Sequence, residues 1–139
     1  MIVGHHLILD SVVADTGILR DVGSLEVSFR RVFAYHGIKV LDFVSHAFPG
    51  HGGVTGVFLL AESHASFHTW PEHRLMCSDF FTCGNVDALS VSKMIRHEIA
   101  CENIRVQVIP RGSGTQWRHV LPEPQREGTL SASSLRSSV

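Results

Sequence analysis

The chain of 139 residues is long enough for one domain with its own hydrophobic core, and its 44% hydrophobic and 18% charged content is ordinary for a folded protein. Twelve basic and 13 acidic residues give a formal net charge of -1, so no electrostatic argument favours nucleic acid or an anionic membrane as partner. No apolar run approaches the ~18 residues that span a bilayer, and the first residues do not have a signal-peptide pattern. We therefore expect a cytoplasmic protein that binds a small molecule.

The predicted elements begin with a strand over 2–9, an apolar run that ends near Asp10. Apolar residues at helical spacing then predict a helix over 21–36, ended by Gly37 in a left-handed cap. Further along, hydrophobic alternation, turn residues and caps predict strands over 38–46, 54–61, 65–70 and 76–82, a helix over 85–101 capped by Asn85, and a strand over 104–110.

This order of elements, β-α-β-β-(β)-α-β, predicts an α+β fold. Two helices are expected to pack on one face of an antiparallel sheet in a split β-α-β layout. We expect one domain over 1–112. The segment 122–139 is rich in Ser and in Pro and Glu, too polar to bury, and is predicted to be a disordered tail.

The cysteines and histidines do not form a recognisable metal or disulfide pattern. Three cysteines are an odd number without C-x-x-C spacing, and Cys77 and Cys101 are expected to be buried thiols. Ten histidines include the pairs His5/His6 and His64/His68, which raise the question of a metal. Because no H-E-x-x-H helix or four-ligand set accompanies them, we predict no metal.

Reactive side chains concentrate in the segment 60–72 and in the F-T-C-G sequence over 81–84. Cys83 with His64 or His68 would make a thiol nucleophile and its base, and Ser63 with His68 a hydroxyl nucleophile and its base. Neither the G-x-S-x-G elbow nor a cysteine-protease signature is present. On the residues alone, both alternatives stay open. The aromatic residues Phe67 and Trp70 are expected to pack.

The sequence E-S-H-x-S-x-H-T-W-P-E over 62–72, followed by F-T-C-G over 81–84 and preceded by G-V-T-G over 53–56, resembles the short bacterial and archaeal S-adenosylmethionine decarboxylases. The resemblance covers about residues 4–110. It implies a proenzyme that cuts itself between Glu62 and Ser63, giving fragments 1–62 and 63–139.

In this resemblance the Ser63 hydroxyl attacks the Glu62 carbonyl, and elimination followed by hydrolysis leaves a covalent pyruvoyl cofactor at position 63. The resemblance assigns His68 as the base that removes the serine α-proton and Thr55 as its hydroxyl helper. The pyruvoyl group then forms a Schiff base with the substrate amine. Cys83 is assigned the return of a proton to the substrate carbon.

The resemblance leaves the substrate less defined than the cofactor. It implies that Glu72 binds the ribose hydroxyls of S-adenosylmethionine, for spermidine biosynthesis. However, Pro49 stands where relatives place an adenine-stacking aromatic residue, so Phe48 is the candidate for that contact. Decarboxylation of ornithine or arginine is the alternative, and an inactive relative with a binding or regulatory role is a third. We also expect a homodimer of cleaved protomers with sites near the interface.

Overall fold

The structure, a computed structural model, describes residues 1–112 and 114. Within that part of the chain, six strands form one antiparallel sheet in the order β2-β3-β4-β5-β1-β6. The strands are β1 (Ile2–Val13), β2 (Val40–Ala47), β3 (Val54–Leu60), β4 (Ser63–Trp70), β5 (Leu75–Thr82) and β6 (Cys101–Gly112). The helices are α1 (Val22–Tyr35) and α2 (Ala88–Glu98), with short 3-10 helices at Ile18–Arg20 and Pro71–His73.

The residues that flank helix α1 determine where it begins and where it ends. The Asp21 carboxylate accepts hydrogen bonds from the Ser24 amide at 3.1 Å and the Ser24 hydroxyl at 2.7 Å, which caps the helix. These hydrogen bonds lower the pKa of Asp21 below its usual value. Gly37 ends the helix at φ +69°, the left-handed conformation that glycine adopts most easily.

One face of the sheet packs on both helices and forms the core. Alternate residues of the strands are buried, among them Leu7, Leu9, Phe58, Phe67 and Phe80. Helix α1 adds Phe29, which stacks on Phe67 at 5.1 Å between ring centroids, and Phe33, edge-on to Phe58 at 5.1 Å. The predicted α+β class, with two helices on one face of an antiparallel sheet, is confirmed.

Several predicted boundaries were wrong. The four strands predicted between the helices all form, one more than the order β-α-β-β-(β)-α-β counts, and β1 continues to Val13 because its later residues still pair with β5 and β6. Asp87, not Asn85, caps α2 by accepting from the Leu89 amide at 3.0 Å. The helix ends before Ala100, whose φ of 51° cannot continue it. No helix among the described residues is long and apolar enough to cross a membrane.

The second face of the sheet is covered by no helix of the described residues, and we call it the open face. The ladder registers align one row of its residues across all six strands. From β2 to β6 this row is His46, Thr55, His68, Cys77, Asp10 and Arg105. The open face also exposes apolar side chains, namely Ile8, Val12, Val44, Val57 and Leu59. The predicted tail over 122–139 lies outside the described residues.

Candidate active site

The start of β4 holds the predicted cleavage bond. Glu62 is exposed in the turn that joins β3 to β4, and Ser63 opens β4 beside a cavity of about 330 Å³ that Cys83 also lines. The Ser63 Oγ atom is buried and has no hydrogen-bond partner among the described residues. The Oγ atoms of Ser11 and Ser78 share this property, and Ser63 differs from them by its place directly after the predicted cleavage bond. We call this the cleavage end of β4.

Cys83 follows directly from β5 into a tight turn. The Gly84 amide donates to the Thr82 hydroxyl at 3.2 Å, which fixes the backbone on both sides of the thiol. Cys83 is exposed, whereas Thr82 is buried, so the thiol lies at the mouth of the cavity. His36 and Lys39 line the same cavity, and no motif in the sequence had indicated them.

The far end of β4 holds the second group of predicted residues. Thr55 Oγ1 and His68 Nδ1 are hydrogen-bonded at 2.9 Å across the β3–β4 ladder. They line a pocket of about 450 Å³ that also contains Phe48, Glu72 and Trp70. We call this the pocket end of β4. The structure thus brings together the predicted base, its helper and both predicted substrate contacts.

Trp70 was expected to pack, and this was wrong. Its side chain is 39% exposed, and its ring centroid lies 6.2 Å from that of His68 on the pocket wall. The reason is strand alternation, because Trp70 and His68 are two residues apart and share the open face. Phe67, on the opposite face, is fully buried as expected.

The two ends of β4 are far apart within one chain. Ser63 and His68 are five positions apart on the same strand, which at ~3.3 Å per residue separates them by about 16 Å. Their side chains also lie on opposite faces of the sheet. Ser63 shares the helix-facing alternation of Ala65, and His68 faces the open side. A proton cannot pass directly between groups at that separation. Neither end contains every residue that the predicted chemistry needs.

Between the two ends, a hydrogen-bonded chain crosses the open face. Arg111 Nη1 lies 3.1 Å from His6 Nδ1, and because a guanidinium only donates, that nitrogen accepts. His6 Nε2 therefore carries the proton and donates to Asp79 at 2.7 Å, while Ser66 donates to the other Asp79 oxygen.

His64 lies 3.9 Å from Asp79, so that His6, His64 and Asp79 could face one ion. The contacts that the structure gives this cluster are the His6–Asp79 and Ser66–Asp79 hydrogen bonds. The absence of a metal stays a prediction.

Two members of the open-face row, Asp10 and Cys77, have shifted pKa values. Arg105 donates to Asp10 at 2.7 Å, and this bond, with one from Cys77, lowers the pKa of Asp10. Burial raises the pKa of the Cys77 thiol, and its hydrogen bond to Asp10 adds to the effect. Burial likewise raises the pKa of Cys101, which is a core thiol as expected. Cys77 is only partly buried, because it lies on the open face.

The family follows from comparison with known proteins. A sequence model of the S-adenosylmethionine decarboxylase family matches residues 5–112, which include both ends of β4. The chain belongs to the S-adenosylmethionine decarboxylase family. The predicted resemblance is thereby confirmed.

Individual relatives of this S-adenosylmethionine decarboxylase family member support the match over most of its length. The chain is 36% identical over 102 residues to the S-adenosylmethionine decarboxylase proenzyme of Prochlorococcus marinus, covering 73% of this chain and 81% of that protein. It is 34% identical over 119 residues to the proenzyme of Archaeoglobus fulgidus, covering 81% and 100%. The crystal structure of adenosylmethionine decarboxylase from Aquifex aeolicus superposes with a TM-score of 0.71 at 29% identity, covering 84% of this chain and 97% of that one.

Proposed function

We propose that the chain is a self-processing, pyruvoyl-dependent decarboxylase that acts on S-adenosylmethionine. The observation that carries the proposal is the pairing of a buried, unpartnered Ser63 hydroxyl beside Cys83 with a hydrogen-bonded Thr55–His68 pair in an aromatic pocket. These are the groups that self-cleavage and proton return require. They occur in a member of a family whose relatives carry the name decarboxylase proenzyme.

The proposed cleavage uses only groups of the chain and water. Ser63 Oγ attacks the Glu62 carbonyl carbon, the carbon–nitrogen bond breaks, and the Glu62 acyl group passes from nitrogen to oxygen as an ester. In the dimer proposed below, the partner's His68 removes the α-hydrogen of Ser63, and the electron pair expels the Glu62 carboxylate. Addition of water and loss of ammonia leave a ketone at position 63. The Ser63 hydroxyl suits the first step because no hydrogen bond has to be broken before it attacks.

Decarboxylation needs a group to accept electrons and a group to return a proton. When present, the pyruvoyl carbonyl supplies the electron sink for the carbon that loses CO2. Cys83 supplies the proton in this proposal, since its exposed thiol lines the same cavity as Ser63. Burial of Ser63 Oγ within the cavity keeps the site of the ketone partly shielded from water.

The pocket end of β4 has the chemistry of a nucleoside site. Phe48, His68 and Trp70 offer aromatic faces to a purine, and the exposed carboxylate of Glu72 can accept hydrogen bonds from two ribose hydroxyls. Ornithine and arginine have neither a purine nor a ribose to use these groups. Phe48 lines the pocket although Pro49 replaces the usual aromatic residue, which removes the main argument against S-adenosylmethionine.

We further propose that two copies combine to complete each site. Stacking the open faces of two protomers in opposite directions would bring the partner's His68 and the partner's Glu72 over Ser63 and Cys83. It would bridge the separation of about 16 Å along β4. The exposed apolar residues of the open face would be buried in such a homodimer, and twofold symmetry would give two equivalent sites. The product would serve spermidine synthesis in the cytoplasm.

Two measurements on the purified protein test this proposal. A denaturing gel with intact-mass analysis is expected to show fragments 1–62 and 63–139, the second with a blocked amino terminus. Release of CO2 is then measured with S-adenosylmethionine, ornithine and arginine supplied separately, and only the first is expected to turn over. A chain that stays intact after long incubation would contradict the self-processing step, and turnover of either amino acid alone would reassign the substrate.

A further inference from the structure

The loop over 48–53 carries Phe48 to the wall of the pocket, yet little within the loop itself fixes its shape. One hydrogen bond closes it, from the Phe48 amide to the Gly53 carbonyl at 2.8 Å. Gly50 and Gly52 both have positive φ angles, +88° and +70°, a conformation that costs glycine little to enter and little to leave. Phe48 is 50% exposed, and its nearest ring neighbour is His46 at 4.8 Å. The position of Phe48 therefore depends on what holds the loop from outside.

Arg20 contacts the centre of this loop from a different element. Its guanidinium Nη1 donates to the His51 carbonyl, at the centre of the loop. A Cβ atom at Gly52 would collide with that same nitrogen, so the guanidinium lies directly against the loop backbone. A hydrogen bond from a charged donor is among the stronger single contacts available to an exposed loop.

The base of Arg20 is fixed to the sheet beneath the pocket. Arg20 ends the 3-10 helix Ile18–Arg20, whose middle residue Leu19 is fully buried. The Thr69 hydroxyl donates to the Leu19 carbonyl at 2.6 Å and accepts from the Val54 amide at 2.9 Å, which joins this helix to β3 and β4. Thr69 stands between His68 and Trp70 on β4 and itself lines the pocket. The contacts that support the loop thus begin at Thr69, a residue of the pocket that the loop helps to form.

We infer that Arg20 is a positioning residue for the nucleoside pocket, holding the loop over 48–53 so that Phe48 faces the substrate ring. This inference rests on the proposed function. Arg20 does not line the pocket, so its effect passes through the loop and not through contact with substrate. An arginine suits the task because its planar guanidinium stays charged throughout the working pH range and presents several donors in a fixed plane.

The test compares Arg20→Met, which keeps the apolar stem and removes the donors, with Arg20→Lys and with a control, Arg31→Met. Arg31 is an exposed arginine of α1 paired only at 3.4 Å with Glu98, far from the pocket in the fold. For each protein we would measure the self-cleavage rate, kcat and KM for S-adenosylmethionine, and the affinity for methylthioadenosine by calorimetry. Methylthioadenosine carries the nucleoside without the amino acid.

Arg20→Met is expected to raise KM and to weaken methylthioadenosine binding about threefold to tenfold, the size expected for one hydrogen bond that shapes a site. The kcat and the cleavage rate are expected to stay within about twofold, because Ser63, Cys83 and His68 do not contact Arg20. Arg20→Lys is expected to lie between wild type and Arg20→Met, and Arg31→Met to match wild type. Gly52→Ala is expected to raise KM in the same way, and its effect is not expected to add to that of Arg20→Met.

Unchanged KM and unchanged methylthioadenosine affinity in Arg20→Met would overturn the inference. So would a loss of cleavage or of kcat in both Arg20 variants with KM unchanged, since that pattern would show a general effect on folding. Failure of the proposed function would look different: the wild-type chain itself would stay uncut or would not release CO2 from S-adenosylmethionine.

Discussion

In the proposed reaction, the two ends of β4 supply complementary groups, and the local settings of these groups are opposite. At the cleavage end, the Ser63 hydroxyl is buried and without a hydrogen bond among the described residues, and the thiol of Cys83 is nearby. At the pocket end, the His68 imidazole is exposed and is already bonded to Thr55 at 2.9 Å. The proposed nucleophile thus has no hydrogen bond to break, while the proposed base is held by one.

The comparison shows that a short, rigid strand can hold apart two groups that the proposed reaction must bring together. Because β4 is paired on both sides, it cannot bend to bring Ser63 and His68 together. In the proposed dimer, the partner protomer closes the distance that remains between them. Variants at one end should therefore affect one stage of the reaction and spare the other, and the following predictions test that division.

The largest effect is expected from Ser63→Ala at the cleavage end. Loss of the hydroxyl removes the nucleophile, so cleavage and decarboxylation are both expected to fall to background. The thermal unfolding midpoint is expected to stay the same or to rise slightly, because the Oγ atom has no hydrogen bond to lose. A gel and a melting curve measure both quantities. Residual cleavage at the same bond would show that Ser63 is not the nucleophile.

A smaller effect is expected from Cys83→Ala at the same end of β4. This variant should separate self-cleavage from decarboxylation. Cleavage is expected to proceed, since the thiol takes no part in the acyl shift, while kcat falls by about a hundredfold or more. Cys77→Ala serves as the matched control, because Cys77 lies on the open face and lines neither the cavity nor the pocket. Equal kcat values in the two cysteine variants would assign proton return to another group.

At the pocket end, Glu72→Gln is expected to act on substrate affinity. Replacing the carboxylate weakens the hydrogen bonds to the ribose hydroxyls, so KM is expected to rise about tenfold or more while cleavage is unchanged. Glu26→Gln is the control, since Glu26 is a half-buried glutamate of α1 paired with Arg30. If KM stays at the wild-type value, Glu72 does not bind the ribose.

The smallest perturbation is chemical labelling of the three thiols in the uncut Ser63→Ala protein. Cys83 is exposed and is expected to react first with iodoacetamide at neutral pH, and buried Cys101 last. Cys77 is expected to react slowly because burial and Asp10 raise its pKa, so that less thiolate is present at a given pH. Raising the pH should increase the rate at Cys77. Peptide mass spectrometry measures each rate, and a fast Cys77 at neutral pH would contradict this description of the open face.

The sequence allowed most of the fold to be predicted because its signals were local. The helical spacing of apolar residues in α1, the Gly37 stop and the β-branched, apolar content of β3 each act within a few residues. The start of α2 was misplaced because Asn85 and Asp87 are both good caps, and only the bond to the Leu89 amide decides between them.

Within the site, Thr55 and His68 are hydrogen-bonded and Phe48 and Glu72 line one pocket, while the roles assigned to these residues stay predictions. What could not be predicted were relations between distant segments. Trp70 was assigned to packing because a strand pattern alone does not say which face is covered. Arg20 donates to the His51 carbonyl, 31 positions away in the sequence, and hydrophobic periodicity cannot predict such a contact. The separation of Ser63 from His68 was implicit in their spacing, but it became a constraint only once both were known to lie on one straight strand.

The most direct test of the central claim, that each site is completed by a second copy, is a complementation experiment. Differently tagged Ser63→Ala and His68→Ala chains are produced separately and together, and mixed dimers are isolated through both tags. Each variant alone is predicted to stay uncut. In the mixed dimer, the His68→Ala chain is predicted to be cleaved by the partner's His68, while the Ser63→Ala chain stays intact. A verified mixed dimer in which neither chain is cleaved, or a His68→Ala chain that cleaves by itself, would contradict the account.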